Sequence, residues 1–110
     1  MFATGIGSVD YDFHPAAESE YAEAARGYDE ISRELGDRFV AEIESAIRRV
    51  CKNPEWFRKL TPRVRRCVIR TFSFGFLFEV DGNRVFIVGV MHLHRHPDYW
   101  KWRLTEGGEP

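Results

Sequence analysis

The sequence has little of what would place it in a specialised class of protein. Its two cysteines, Cys51 and Cys67, are too few and too far apart for a disulfide framework or a zinc site. Both have apolar neighbours, so we expect two small core residues with free thiols. No apolar run approaches the roughly 18 residues of a membrane span, and residues 1–8 lack the basic start and apolar stretch of a signal peptide. We therefore expect a cytoplasmic protein.

The size and composition are those of one ordinary domain. The chain has 110 residues, of which 44% are hydrophobic and 30% are charged, with no internal repeat and no low-complexity tract. A chain of this length buries enough surface for one core. We predict a single domain over residues 9–103, with flexible termini at 1–8 and 104–110.

The net charge of −1 hides a strong segregation of charge along the chain. Residues 1–47 carry 11 acidic and 3 basic side chains, whereas residues 48–70 carry 9 basic and 1 acidic. The remaining residues carry 4 basic and 5 acidic side chains and are nearly neutral. This basic block is either a solvated surface or a docking site for an acidic partner, and composition leaves both open.

The first third of the chain predicts a strand followed by a helix. Val9 to Phe13 alternates apolar and acidic residues, the period-two pattern of a half-buried strand. Pro15 suits the first turn of a helix, whose apolar stripe continues to Leu35. Acidic residues, Glu20 among them, are expected to fill the opposite face of this helix.

A second helix is predicted directly after the first. Gly36 interrupts the first stripe, as a glycine just past a helix C-terminus would. A second stripe runs from Phe39 to Val50, and Asn53-Pro54 ends it. Because the connection is so short, the two helices should form an antiparallel hairpin. We expect Trp56 and Phe57, just beyond it, to lie in the core or to cover a sheet edge.

The last part of the chain predicts three strands. Arg63 to Phe72 is a strand with a strongly basic face, and Phe74 to Val80 is a second strand rich in aromatics. Asp81-Gly82-Asn83 is a strong hairpin turn. Arg84 to His94 is apolar on both faces in its middle, which indicates a central strand.

The predicted element order is therefore β-α-α-β-β-β, an α+β domain. An N-terminal strand, an αα-hairpin and a C-terminal antiparallel meander form one sheet. The hairpin covers one face of this sheet, and the other face is at least partly open.

Several segments, taken together, resemble the RelE/ParE superfamily of toxins from type II toxin–antitoxin systems, in its ParE-like branch. The helical hairpin resembles the family in four short motifs: His14-Pro15-Ala16-Ala17, Tyr28, Gly36 with Phe39, and Asn53-Pro54-Glu55. The end of the chain resembles the family's C-terminal signature: His92, Arg95, Pro97, Tyr99-Trp100 and Arg103.

This resemblance implies a RelE-like fold, a growth-inhibiting activity, and a cognate antitoxin that forms a hetero-oligomer with the toxin. ParE-like members poison DNA gyrase without breaking bonds themselves, and this is the reading that we favour. RelE-like members instead cut mRNA on the ribosome, and a third possibility is a degenerate toxin that only binds its antitoxin. None of these readings requires a cofactor or a metal.

The candidate functional residues are cationic or aromatic. For a ribonuclease they would hold the scissile phosphate and move protons; for a binding toxin they would contact the antitoxin or the target. They are Arg65, Arg66, Arg70, His92, Arg95, Tyr99 and Trp100. Arg66 and Arg70 should share one face of their strand, because their separation is even.

Two further groups near the C-terminus have more than one interpretation. His92, His94 and His96 would point to one side of a strand, where imidazoles can bind zinc, but Arg95 lies among them and no carboxylate or cysteine has a matching spacing. Tyr99, Trp100 and Trp102 either form a binding platform or pack the last segment against the sheet.

Overall fold

The computed structural model describes residues 10–95 and 98–104. The order of the elements follows the prediction, with one additional short strand. The strands are β1 (Asp10–Phe13), β2 (Arg58–Lys59), β3 (Arg65–Ile69), β4 (Phe74–Asp81) and β5 (Arg84–His92). The helices are α1 (Pro15–Ile31) and α2 (Arg33–Lys52), and short 3-10 turns lie at Pro54–Trp56, Arg70–Phe72 and Lys101–Leu104.

The strands form one sheet in the order β1-β5-β4-β3-β2, in which only the β1–β5 pair is parallel. β5 therefore lies inside the sheet, as its apolar sequence predicted. The α+β class, the αα-hairpin and the C-terminal meander are confirmed.

The main core lies between the helical hairpin and one face of the sheet. α1 packs over β5 and α2 over β3. Phe39 of α2 contacts Phe72 and Phe74 at ring-centroid distances of 5.3 and 5.2 Å. Cys51 and Cys67 are buried here with free thiols, as predicted. A second, smaller core on the other face contains Val64, Leu77, Val88, Met91 and Trp100.

The boundary between the two helices was predicted wrongly. The break is at Ser32, whose hydroxyl accepts a hydrogen bond from Leu35 N at 3.0 Å and so caps the N-terminus of α2. Gly36 lies inside α2, not after α1. A Cβ atom there would be 2.8 Å from the backbone Cα of Asp29, so the glycine is needed for the close approach of the two helices.

Other expectations also need correction. Phe57 packs against the main core, but Trp56 is 76% exposed and is not a core residue. β3 ends at Ile69, earlier than predicted, because Arg70 begins a 3-10 turn. Leu104, which we assigned to a flexible terminus, lies in the last 3-10 turn and packs on the second core. The rest of both predicted termini lies outside the described residues.

None of the helices within residues 10–95 and 98–104 is long and apolar enough to cross a membrane.

Candidate functional site

The face of the sheet away from the helices carries a small cavity of about 120 Å³, which we call the open-face pocket. Its lining combines aliphatic side chains with two arginines and two aromatics. The lining residues are Leu60, Arg66, Leu77, Met91, Leu93, Arg95, Tyr99 and Trp100. Four of the predicted site residues, Arg66, Arg95, Tyr99 and Trp100, are thus brought together.

The alternation of side chains along β3 decides which arginine reaches the pocket. Cys67 and Ile69 face the helices in the main core, so Arg66 projects to the opposite face. Arg65 projects to the helix side, where its Nη1 donates a hydrogen bond to Phe57 O at 2.8 Å. The structure therefore separates these two neighbours.

Arg70 does not join this site either. The prediction that Arg66 and Arg70 share one strand face is wrong, because the strand ends before Arg70 and the period of two no longer applies. Arg70 is exposed in the turn that leads to β4.

Tyr99 lies directly against β5. A Cβ atom on Gly89 would be 2.7 Å from the Tyr99 hydroxyl, so only glycine leaves room for this ring. The guanidinium carbon of Arg95 lies 4.0 Å from the centre of the Tyr99 ring, a cation–π contact at the pocket rim. Trp100, only 2% exposed, packs into the second core. The last segment is thus packed against the sheet, and the same packing builds the pocket.

An ion pair between buried Arg103 and half-buried Glu20 connects this segment to α1. Arg103 Nη2 lies 2.8 Å from Glu20 Oε2 and Nη1 lies 3.1 Å from Glu20 Oε1. Glu20 Oε1 also accepts from Val90 N at 3.0 Å, and Arg103 Nη1 donates to Val88 O at 2.8 Å. The Tyr99 hydroxyl donates to the same Glu20 oxygen at 3.5 Å. We call Glu20 and Arg103 the latch.

Burial and the nearby charge of Glu20 raise the pKa of Tyr99 to about 12, against the opposing effect of Arg103 and Arg95. At neutral pH the Tyr99 hydroxyl therefore keeps its proton, consistent with its role as a donor to Glu20.

Glu20 was missed from the sequence because we placed it on the solvent face of α1. A usable signal was present, since Glu20 is three residues after Ala17 and four before Ala24, both on the apolar stripe. An acidic residue inside an apolar stripe indicates a buried charge with a partner. That the partner is Arg103 follows only from the fold.

Of the three histidines weighed as zinc ligands, His92 and His94 do not lie in one row on a strand. β5 ends at His92, and His94 follows in a turn, so the two do not share a strand face. His92 lies on the helix side of the sheet, where its ring is 4.3 Å from that of Phe74. His96 lies outside the described residues.

Comparison with known proteins agrees with this architecture. Residues 11–97 match a family model described as ParE toxin of type II toxin–antitoxin system, parDE. No curated protein sequence matches the chain.

Two solved structures of Escherichia coli RelE toxin are similar in fold. One is a mutant with two arginines replaced by alanine, in the free state; it has a TM-score of 0.61 and 16% identity, over 84% of this chain and 90% of that one. The other is the isolated toxin, with a TM-score of 0.59 and 18% identity, over 86% of this chain and 94% of that one. At such identities the likeness concerns the fold alone.

Proposed function

The chain belongs to the ParE toxin family of type II toxin–antitoxin systems, and we propose that it inhibits growth by binding DNA gyrase through the open-face pocket. As a type II toxin it has an antitoxin protein as its partner. In the proposed mechanism the toxin breaks no bond itself. It stabilises a state of gyrase in which the DNA is cut and not resealed.

The composition of the open-face pocket is the observation that carries this proposal. Arginine, tyrosine and tryptophan are the residues most enriched among those that dominate the affinity of protein interfaces. Here Arg66 and Arg95 line a cavity together with the apolar side chains of Leu77 and Met91. Such a cavity suits an apolar side chain of a protein partner, and the guanidinium groups suit carboxylates around it.

The positions of the titratable groups also support binding over catalysis. A metal-independent ribonuclease needs a base for the 2′-hydroxyl and an acid for the leaving oxygen. Tyr99, at the pocket, donates its proton to Glu20 and has a raised pKa, which disfavours it as a base. His92 is on the other face of the sheet, in contact with Phe74.

Two other functions are alternatives to the inhibition of gyrase. One is a RelE-like mRNA endonuclease on the ribosome, and the other is a degenerate toxin that only binds its antitoxin. The three predict different effects of the free chain, so one set of measurements separates them.

The test is induced expression of the chain without an antitoxin, with growth, DNA-damage signalling and protein synthesis followed in parallel. We expect growth arrest with an early DNA-damage response while translation continues. With purified gyrase and plasmid DNA, the chain should cause linear, cleaved DNA to accumulate. Immediate loss of translation with cleaved mRNA would favour the endonuclease. A soluble, folded chain without effect on growth or on gyrase would favour the degenerate toxin.

A further inference from the structure

A second surface, next to the open-face pocket, lies at the corner where α2 leads into β2. It contains Trp56, Arg58, Lys59, Arg65 and Arg66, and we call it the basic corner; Arg66 also lines the open-face pocket. The basic corner belongs to the basic block, in which Glu55 is the one acidic residue among nine basic ones. Of these residues, the toxin function proposed above uses only Arg66.

Four cations face one another across two strands in this corner. In the β2–β3 register Arg58 lies opposite Arg66 and Lys59 lies opposite Arg65. Like charges directly opposite each other destabilise a strand pair. Charged side chains at a sheet edge often serve only to prevent aggregation. That role does not explain why each cation here lies opposite another cation. An anionic ligand would relieve this repulsion.

The cations project from both faces of the sheet edge. Directly opposite residues share a face, so Arg58 lies on the face of the open-face pocket with Arg66. Lys59 and Arg65 lie on the helix side. The edge is therefore a ridge with cations on both flanks, and on one of them Lys59 and Arg65 line a cavity together with Glu79 and Asp81. An anionic chain running along the ridge would meet cations on either side.

An exposed tryptophan stands on the same ridge and is held in place. Trp56 is 76% exposed, although the next residue, Phe57, is anchored in the main core against Phe78. Arg65 Nη1 donates to the carbonyls on both sides of Trp56, those of Glu55 at 3.5 Å and Phe57 at 2.8 Å. The backbone around the indole is thus fixed while its ring faces solvent.

We propose that the basic corner binds a single-stranded segment of nucleic acid. Cations that follow a phosphate backbone, combined with an aromatic ring on which a base stacks, are the features of sequence-independent single-strand binding. A duplex offers phosphates but no unpaired base for Trp56. An acidic peptide adding to the edge would find little backbone to pair with, because β2 is only two residues long.

The distribution of charge favours the same partner. Residues 1–47 carry a net charge of −8 and residues 48–70, which include the basic corner, a net charge of +8. A local concentration of positive charge attracts a polyanion even though the total charge of the chain is −1.

The test is fluorescence anisotropy with labelled oligothymidylate of about 12 nucleotides, within the usual site size of single-strand binders. It uses the whole chain without gyrase, so its outcome is independent of the proposed target. Four neutralised phosphates predict a slope of log affinity against log salt of about −3. Oligouridylate should bind equally well, because neither phosphate contacts nor stacking reads the 2′-hydroxyl. The matching duplex should bind more weakly.

Three variants make the proposal specific to this corner. Arg58→Gln/Lys59→Gln should roughly halve the salt slope, and Trp56→Ala should weaken single-strand binding about tenfold. Arg26→Gln/Arg33→Gln removes the same charge from exposed sites on the helical hairpin and should bind like wild type. Each variant is first shown to unfold at the wild-type denaturant midpoint.

Several results would overturn the proposal. One is that the oligonucleotide does not bind at low salt. Another is that the corner variants and the hairpin variant bind it equally well. A third is that the duplex binds as tightly as the single strand and that Trp56→Ala does not change either affinity. Displacement of the oligonucleotide by polyglutamate at equal charge concentration would instead assign the surface to an acidic protein partner.

Discussion

Glu20 and Arg103 are 83 positions apart in the sequence and are joined by two hydrogen bonds. Together they bond to backbone groups of β5 that a neighbouring strand would otherwise pair with. β1 ends at Phe13, so within residues 10–95 and 98–104 no strand lies beside β5 on that side beyond Ile87. Glu20 accepts the hydrogen bond from Val90 N, and Arg103 donates to Val88 O. The ion pair thus satisfies backbone groups that would otherwise be buried without partners.

Breaking the latch should be costly. The side chains of Arg103 and Glu20 are 6% and 17% exposed, so Glu20→Gln leaves a buried charge without a counter-ion. We expect a loss of about 3–5 kcal/mol in the free energy of unfolding, measured by urea denaturation. Glu18→Gln, on the exposed face of the same helix, should change stability by less than about 0.5 kcal/mol. The double variant Glu20→Gln/Arg103→Met should lose less than the sum of its parts. Strict additivity would mean that the pair is not coupled.

Two glycines in the helical hairpin should respond oppositely to alanine. Gly36→Ala places a Cβ atom 2.8 Å from the Asp29 backbone and should destabilise the protein by about 1–3 kcal/mol. Gly27, in the middle of α1, has no atom within 4 Å of an added Cβ. Gly27→Ala should therefore stabilise by about 0.5–1 kcal/mol, since alanine favours the helix. Both changes are measured by thermal or urea unfolding. Equal effects would contradict the close approach of the helices at Gly36.

The close contact between Tyr99 and Gly89 can be tested with a second substitution that relieves the effect of the first. Gly89→Ala should displace Tyr99, since the new Cβ atom would be 2.7 Å from its hydroxyl, and should weaken gyrase inhibition. Adding Tyr99→Phe removes the clashing oxygen and should restore part of the lost stability and inhibition. The readouts are urea unfolding and plasmid cleavage by gyrase. A double variant no better than Gly89→Ala alone would place the clash elsewhere.

Arg66 in β3 and Arg70 just after it should differ in function although they have the same charge. Arg66→Gln removes a pocket residue and should weaken gyrase inhibition by roughly 5- to 30-fold, the effect expected of an interface arginine. Arg70→Gln, in the exposed turn after the strand, should leave inhibition within about twofold. Arg95→Gln should behave like Arg66→Gln, and His92→Gln like Arg70→Gln. If Arg70→Gln is the more damaging, the functional surface is not the open-face pocket.

Stability should fall at alkaline pH, in part because of Tyr99. In the folded state the pKa of Tyr99 is raised from 10.0 to about 12 by burial and by Glu20. Between pH 10 and about 12 the unfolded chain has lost this proton and the folded chain has not, so the unfolded state binds fewer protons. The contribution is fully present below pH 10 and is lost as the pH rises through 12.

Burial also raises the pKa of Cys51 and of Cys67 to about 11, so these thiols titrate in the same pH range. Comparing Tyr99→Phe with the wild type isolates the contribution of Tyr99, because both proteins contain the two thiols. Urea midpoints measured over this pH range should fall less steeply in the variant than in the wild type. Parallel curves would show that Tyr99 titrates normally in the folded protein.

Much of the fold is a consequence of local pattern. The alternation before Phe13, the helical stripes, the Asp81-Gly82-Asn83 turn and the apolar middle of β5 each predict the element that forms. These features depend on backbone propensity and on the period at which apolar residues recur. Both are properties of residues that are close together in the sequence. The element order and the central place of β5 follow from them.

The candidate site depends instead on contacts between distant segments. Whether Arg66 or Arg70 reaches the pocket depended on where β3 ends, and Trp56 and Phe57 differ in burial although they are adjacent. Gly36 permits an approach by Asp29, and Glu20 has an ion-pair partner because Arg103 arrives from the other end of the chain. Periodicity determines which residues share a face of an element. Only the tertiary structure determines what that face meets, because the partner's position depends on the packing of the whole chain.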